Sequence, residues 1–354
     1  MNVLELSREL LAIPSHGDET AAGDLLEEWL REETDADVDR DEAGNVFARR
    51  GSGRTVALVG HHDVVPPEDS QVENGEYVVE RRGDRLYGRG SADMKGAVAA
   101  AALAFREAEP SGELVFASFV GEEVGGVGAR HAIDEGFSPD YAVVGEGSTG
   151  YSSPGVTDVA VAHKGRRGST ITATGTAAHA SEPGAGTNAI YRATEAVEKL
   201  RDLETPVVEV AGERLEGSLA VTEIEGGSAM NVVPERCTIT VDERTVPGKR
   251  APIERVEREG VEWTVDQDLP PMRCTDEAFS DAVLEAATRS QQGTPEHVTK
   301  PHATDAGWLS QAGTECVICG PAEPGEAHTA DESVSLEVLG RCREIYRAVA
   351  ESWP

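Results

Sequence analysis

The feature that most constrains this 354-residue chain is how its short apolar runs are spaced and how each one ends. Thr55-Val-Ala-Leu-Val-Gly60, Glu113-Leu-Val-Phe-Ala-Ser-Phe-Val120 and Tyr141-Ala-Val-Val144 are short and bounded by polar or glycine residues, so they read as buried strands. Helical spacing separates them. It predicts helices over 3–11 and 20–30, broken at Pro14-Ser15-His16-Gly17, an alanine-rich helix over 95–107, and another near 129–135. Strands alternating with helices predict an α/β domain around a parallel-rich, buried sheet.

From about Gly168 the pattern changes. Residues 169–175 alternate as a half-exposed strand, 188–200 are helical, 218–224 and 237–246 are strands, 253–259 a short helix and 261–265 a strand. That order is the order of a ferredoxin-like α+β unit. The α/β pattern returns over 276–287, 304–311, 315–319 and 336–351. Two domains are therefore expected: 1–167 with 274–354 as the catalytic α/β domain, and 168–273 inserted within it.

Charge excludes one class of partner. Asp and Glu number 65 against 32 Lys and Arg, a net charge of −33, and no segment supplies the basic stripe that phosphate binding requires. No nucleic acid is expected. Only Lys95, Lys164, Lys199, Lys249 and Lys300 are lysines, and this carboxylate-rich, lysine-poor composition resembles that of cytoplasmic proteins of extreme halophiles. Concentrated salt shortens the range of such self-repulsion to a few ångströms. The longest apolar stretch, Ala97 to Phe105, is far shorter than a bilayer span, and Glu5 and Glu9 interrupt the opening segment, so neither membrane insertion nor a signal peptide is expected and the location is read as cytoplasmic. Five cysteines argue against a disulfide framework. Cys316-Val-Ile-Cys319 has metal-knuckle spacing, but it lies in an apolar run without a second pair and reads as two buried thiols.

Histidines and carboxylates recur where parallel strands end, the place where open α/β sheets gather ligands. His61-His62-Asp63 follows the first apolar run, Gly121-Glu122-Glu123 the second and Gly145-Glu146 the third. Asp93 lies in Gly88-Arg-Gly-Ser-Ala-Asp-Met-Lys-Gly96, directly before the alanine-rich helix, and His328 follows a Gly-Pro turn. Acidic pairs are common in this chain, and Glu27-Glu28 or Glu32-Glu33 are solvated helix faces. Position at strand ends distinguishes the other set. Its mixed nitrogen and oxygen donors suit Zn²⁺, Co²⁺ or Mn²⁺. Two such ions about 3.5–4 Å apart can polarise a carbonyl and activate water, given a bridging carboxylate, terminal ligands and a free carboxylate to move a proton. Gly145-Glu-Gly147-Ser-Thr-Gly150 satisfies a dinucleotide fingerprint, but Tyr151-Ser-Ser-Pro-Gly155 cannot open the helix that such a site needs.

Taken together, His61-x-Asp63-Val-Val-Pro66, the Gly88–Gly96 segment, Gly121-Glu-Glu123, Gly145-Glu146 and Ala327-His328 resemble the M20 family of dinuclear metallohydrolases, over residues 61–328. The resemblance implies a phosphorylase/hydrolase-like catalytic domain with an inserted lid and dimerisation domain, a homodimer, two divalent metal ions and a small N-acyl amino acid substrate. Zn²⁺ is the expected metal, with Co²⁺ or Mn²⁺ as alternatives. It further implies that Asp93 bridges the ions, that His61 and Glu146 complete one site and Glu123 and His328 the other, that Glu122 is the general base, and that Asp63 orients His61. A cis peptide after Asp93 is part of the same pattern. Gly175-Thr-Ala-Ala-His179-Ala-Ser181 implies that His179 reaches the neighbouring subunit's site and steadies the oxyanion, while Asn231 and Arg244 match positions gripping the substrate carboxylate. Arg166 and Arg167, in Lys164-Gly-Arg-Arg-Gly168 at the domain junction, are candidates either for a second carboxylate of the substrate or for salt bridges within the protein. His62 should point away from His61 and serve packing. The residues around 61–67 and 86–96 look closest to succinyl-diaminopimelate desuccinylases of lysine biosynthesis. Ala303-Thr-Asp-Ala306 and Gly320–Thr329 are equally at home in acetylornithine deacetylases, with aminoacylases and exopeptidases behind them. A metal-free binding protein on the same fold is the reading of another class, and the intact ligand set opposes it.

Overall fold

The apolar runs expected at 55–60, 113–120, 141–144 and 315–319 lie side by side in one sheet, ordered Asp37–Arg40, Val46–Arg50, Glu113–Phe119, Thr55–His61, Tyr141–Val144, Glu315–Ile318, Val159–His163 and Met272–Arg273, with His297–Lys300 also paired to Val159–His163. The strands at 37–40, 46–50, 159–163, 272–273 and 297–300 are additions to the expected set. The computed structural model describes residues 1–353. The four strands from Glu113–Phe119 to Glu315–Ile318 run parallel, and their neighbours on both sides are antiparallel. Parallel strands covered on both faces must be apolar almost throughout, and these are. Their register brings the carboxyl ends together: His61 pairs with Phe119, and Val144 pairs with both Val59 and Ile318. The loops that follow therefore converge at one edge.

Helix Lys95–Glu107 is buried from Lys95 through Phe105. A helix apolar all round needs cover on every side. Here the cover comes from strands Thr55–His61 and Glu113–Phe119 and from helices Val3–Ala12 and Leu336–Ser352. Two glycines let the start of this helix settle onto the sheet. A Cβ on Gly60 would lie 2.8 Å from Met94 Cε and 2.9 Å from Val98 Cγ2, and one on Gly145 would lie 3.0 Å from Met94 Cε. The Asp93–Met94 peptide is cis. On the opposite face Ala57, Val59, Phe119, Val144 and Ile318 pack with Ala129, Ala132, Ala306 and Leu309 of helices Val127–Asp134 and Asp305–Gln311.

The chain divides into two compact units, Met1–Ala162 with Met272–Lys300 and the residues from Thr304 on, and His163–Pro271 with Pro301–Ala303. The second begins at His163 rather than 168 because Gly165–Thr174 is one continuous strand whose polar start, Gly-Arg-Arg-Gly, hides its pattern. Its four strands are antiparallel in the order Ser218–Gly226, Arg236–Thr245, Gly165–Thr174, Val261–Leu269, which is the ferredoxin-like order. Helix Ala189–Arg201 closes one face over Ile171, Ile239 and Val241. The helix expected over 253–259 is only the 3₁₀ turn Ile253–Val256, because Ile253 and Val256 alone have apolar side chains to bury there, and the chain turns back at Arg258, which bridges to Val261. Cys316 and Cys319 are buried free thiols, with burial pushing both well above the usual range. No helix of the described residues is long and apolar enough to cross a membrane.

Candidate metal centre

The converging loops assemble the sequence-predicted cluster within the first unit. His61 closes its strand and is buried; its Nε2 lies 3.1 Å from Asp93 Oδ1 and 3.5 Å from Glu146 Oε1. His328 Nε2 lies 3.2 Å from Asp93 Oδ2 and 2.9 Å from Glu123 Oε1. Asp93 thus turns one oxygen to each histidine. His61, Asp93 and Glu123 offer ligand atoms within 4.8 Å of one another, and so do His61, Glu122 and Glu146. Two histidines and the surrounding carboxylates at this spacing fit a pair of divalent cations.

Asp63 does more than its sequence position suggests. Its Oδ1 lies 3.2 Å from His61 Nδ1 and accepts the Glu122 N–H at 3.1 Å, while Oδ2 accepts the Glu123 N–H at 3.0 Å. One carboxylate therefore fixes the histidine ring and the backbone of both glutamates, the outer support on which ligand orientation depends. His62 faces the other way, buried, with Nδ1 2.9 Å from Ser118 Oγ, and burial lowers its pKa to about 3, so it stays neutral.

Sequence reasoning missed two residues. Glu332 is 1% exposed; its Oε1 accepts the N–H groups of Ala92 and Asp93 at 3.0 and 3.1 Å, and its Oε2 accepts from Arg89 Nη1 at 2.6 Å. It holds the Asp93 loop from a segment some 240 residues away. Asp305, at the start of helix Asp305–Gln311, is buried with neither carboxylate oxygen hydrogen-bonded. Burial, with Asp63 and Glu146 near it, raises its pKa to about 8. No sequence signal marks either residue, since only the fold buries these two carboxylates and brings them to the cluster.

The centre is strongly electronegative. Hydrogen bonds to Asp93 and Glu123 raise the pKa of His328 to about 10. Burial opposes charge on His61, yet Asp63, Asp93 and Glu146 hold its pKa well above the ordinary value. Burial, reinforced by Asp305, Glu146 and Asp93, pushes Glu122 well above the usual carboxylate range, and burial raises Glu123. Burial also works against charge on Asp93, but its bonds to His328 and His61 win and keep it ionised. Such a cluster draws protons onto its histidines and is suited to hold cations.

The remaining predicted residues lie in the second unit. Strand Ala178–His179 pairs with Val232–Val233, and the Ala180 N–H donates to the Asn231 carbonyl at 2.9 Å, so His179 and Asn231 share one exposed ribbon. His179 Nδ1 is 2.7 Å from Ser181 Oγ. Arg244 pairs in register with Arg166, and both guanidinium groups engage Asp242, through Nε atoms at 2.8 and 2.9 Å. Arg167 bonds Asp268 at 2.8 Å and lies 3.8 Å from Glu243.

Residues 57–352 match the model of peptidase family M20/M25/M40. An acetylornithine deacetylase from Myxococcus xanthus is 32% identical over 89% of this chain and 85% of its own length. A Pyrobaculum aerophilum protein named as a LysW-lysine/LysW-ornithine hydrolase is 31% identical, covering 95% of this chain and 93% of that one. A Bordetella avium succinyl-diaminopimelate desuccinylase is 28% identical over 99% and 98%. Among solved structures, an aminopeptidase from Bacillus cereus superposes with a TM-score of 0.80 at 19% identity, covering 98% of this chain and 97% of that one. A dinuclear metal-binding peptidase from Bacillus subtilis superposes at 0.73 with 16% identity, over 98% and 96%.

Proposed function

Because this chain belongs to peptidase family M20/M25/M40, we propose that it hydrolyses the amide between an acyl group and an amino group of a diamino acid of the ornithine or lysine type. The observation that carries the reaction class is Asp93, with one oxygen toward His61 and the other toward His328, the arrangement a bridging ligand requires. His61 and Glu146 would hold one divalent ion and Glu123 and His328 the other. Bound there, the two ions would supply Lewis-acid polarisation of the amide carbonyl and acidification of water. Glu122 accepts a proton from the attacking water at its carboxylate and returns it to the leaving nitrogen; a raised proton affinity suits a group that must do both near neutral pH. Asp63 keeps Glu122 and the His61 ring in place during that transfer.

Two observations support the choice of substrate. The Myxococcus xanthus acetylornithine deacetylase and the Pyrobaculum aerophilum hydrolase are 32% and 31% identical, against 28% for the Bordetella desuccinylase and 27–28% for three further acetylornithine deacetylases. A succinyl chain adds a second carboxylate, yet Arg166 and Arg167, the candidates to meet it, are each committed to carboxylates of their own unit. This reverses the order that the motifs alone suggest. The test is kcat/KM on N-acetylornithine against N-succinyl-diaminopimelate, with Zn²⁺ or Co²⁺ at molar salt. A preference of tenfold or more for N-acetylornithine is expected. The opposite preference would return the desuccinylase to first place.

A further inference from the structure

Lys300 ends strand His297–Lys300 and is 5% exposed, an unusual burial for a lysine without a partner. Its partner is Glu146. Lys300 Nζ lies 3.7 Å from Glu146 Oε2, while the other oxygen, Oε1, faces His61 Nε2 at 3.5 Å. The carboxylate is therefore divided between an ammonium and the cluster. Among the described residues Glu123 pairs with His328 and with no Lys or Arg, so the two sides of the centre differ in fixed charge.

We infer that Lys300 is a positioning residue that keeps Glu146 to a single coordinating oxygen and makes the His61–Glu146 side of the centre the weaker of two cation sites. The inference rests on the two-metal reading proposed above. An ammonium buried against one ligand repels a divalent cation held by that ligand, and at this burial salt screens the repulsion little. Two ions should then load in order, the Glu123–His328 side first, and the occupancy of the second ion should depend on Lys300.

The experiment is a titration of the metal-free, full-length protein with Co²⁺ against a competing chelator, resolving two dissociation constants. Wild type is expected to show two constants at least tenfold apart. Lys300→Met, and Lys300→Gln as a second neutral variant should the first fold poorly, are expected to tighten the weaker constant by tenfold or more and to change the tighter one by less than threefold. Lys300→Arg, which retains the charge, should stay within threefold of wild type at both. Two ions with constants that neither neutral variant tightens, or that Lys300→Arg tightens equally, would overturn the role of Lys300 and leave the metal centre standing. Fewer than two ions bound by the wild type would overturn both.

Discussion

Glu122 and Glu123 are adjacent in sequence and separated by environment. The Glu123 carboxylate bonds His328 at 2.9 Å, whereas Glu122 is surrounded by Asp305, Glu146 and Asp93, whose charges favour its protonated form. One residue is thereby suited to be a ligand and the other to carry a proton. Glu122 also lies within ligand reach of His61 and Glu146, so turnover and metal content must be read together. Glu122→Gln, which cannot take up the proton, is expected to retain two ions per chain and to lose about 10²- to 10⁴-fold in kcat. Activity within tenfold of wild type, or loss of an ion, would remove Glu122 from the role of base. At this scale the cluster was legible because each member follows an apolar run or sits in a glycine-rich segment. Glu332 and Asp305 were not. Both sit among ordinary acidic and polar neighbours, Ala330-Asp-Glu-Ser333 and Ala303-Thr-Asp-Ala306, and only their burial separates them from the many solvated carboxylates.

The Gly88–Gly96 loop is buried almost throughout, so its backbone N–H groups need partners within the protein. Glu332 supplies them, accepting two backbone N–H groups, and it pairs with the Arg89 guanidinium, the two side chains being 1% and 2% exposed. Removing one partner of a buried ion pair strands the other, at a cost of about 3–5 kcal/mol. Glu332→Ala is expected to lose stability on that order in denaturant unfolding of the metal-free protein and to bind fewer than two ions, while Glu337→Ala, on an exposed helix face, stays within about 0.5 kcal/mol. A Glu332 variant with wild-type stability and two ions would contradict this support. Legibility among the elements follows burial. The parallel strands and the helix Lys95–Glu107 stand out because both faces are covered. Strand Asp37–Arg40 and hairpin Val207–Val210 with Glu213–Glu216 escape notice because charged, exposed residues interrupt the alternation that would mark them. The hairpin turn itself, Ala211-Gly212, has both residues at positive φ.

At the scale of the whole molecule the chain devotes one unit to the cluster and a second to the ribbon that carries His179 and Asn231. None of the five proposed ligands belongs to the second unit. If His179 serves the centre of a neighbouring subunit, then mixing Glu122→Gln and His179→Ala proteins, each inactive alone, should restore activity once subunits exchange. Demonstrated exchange without recovered activity would assign His179 another role. The net charge of −33 sets the conditions for all these measurements, since low salt leaves the self-repulsion unscreened. The central claim is that His61, Asp93, Glu123, Glu146 and His328 hold two divalent ions that amide hydrolysis requires. Its most direct test is to strip the protein with chelator at molar salt, reload it with Zn²⁺ or Co²⁺, and measure ions per chain and hydrolysis of N-acetylornithine and N-succinyl-diaminopimelate in the same samples. Activity that vanishes on chelation and returns as occupancy reaches two ions per chain is the predicted result; hydrolysis that persists in the stripped protein, or none of either substrate with both ions bound, would contradict it.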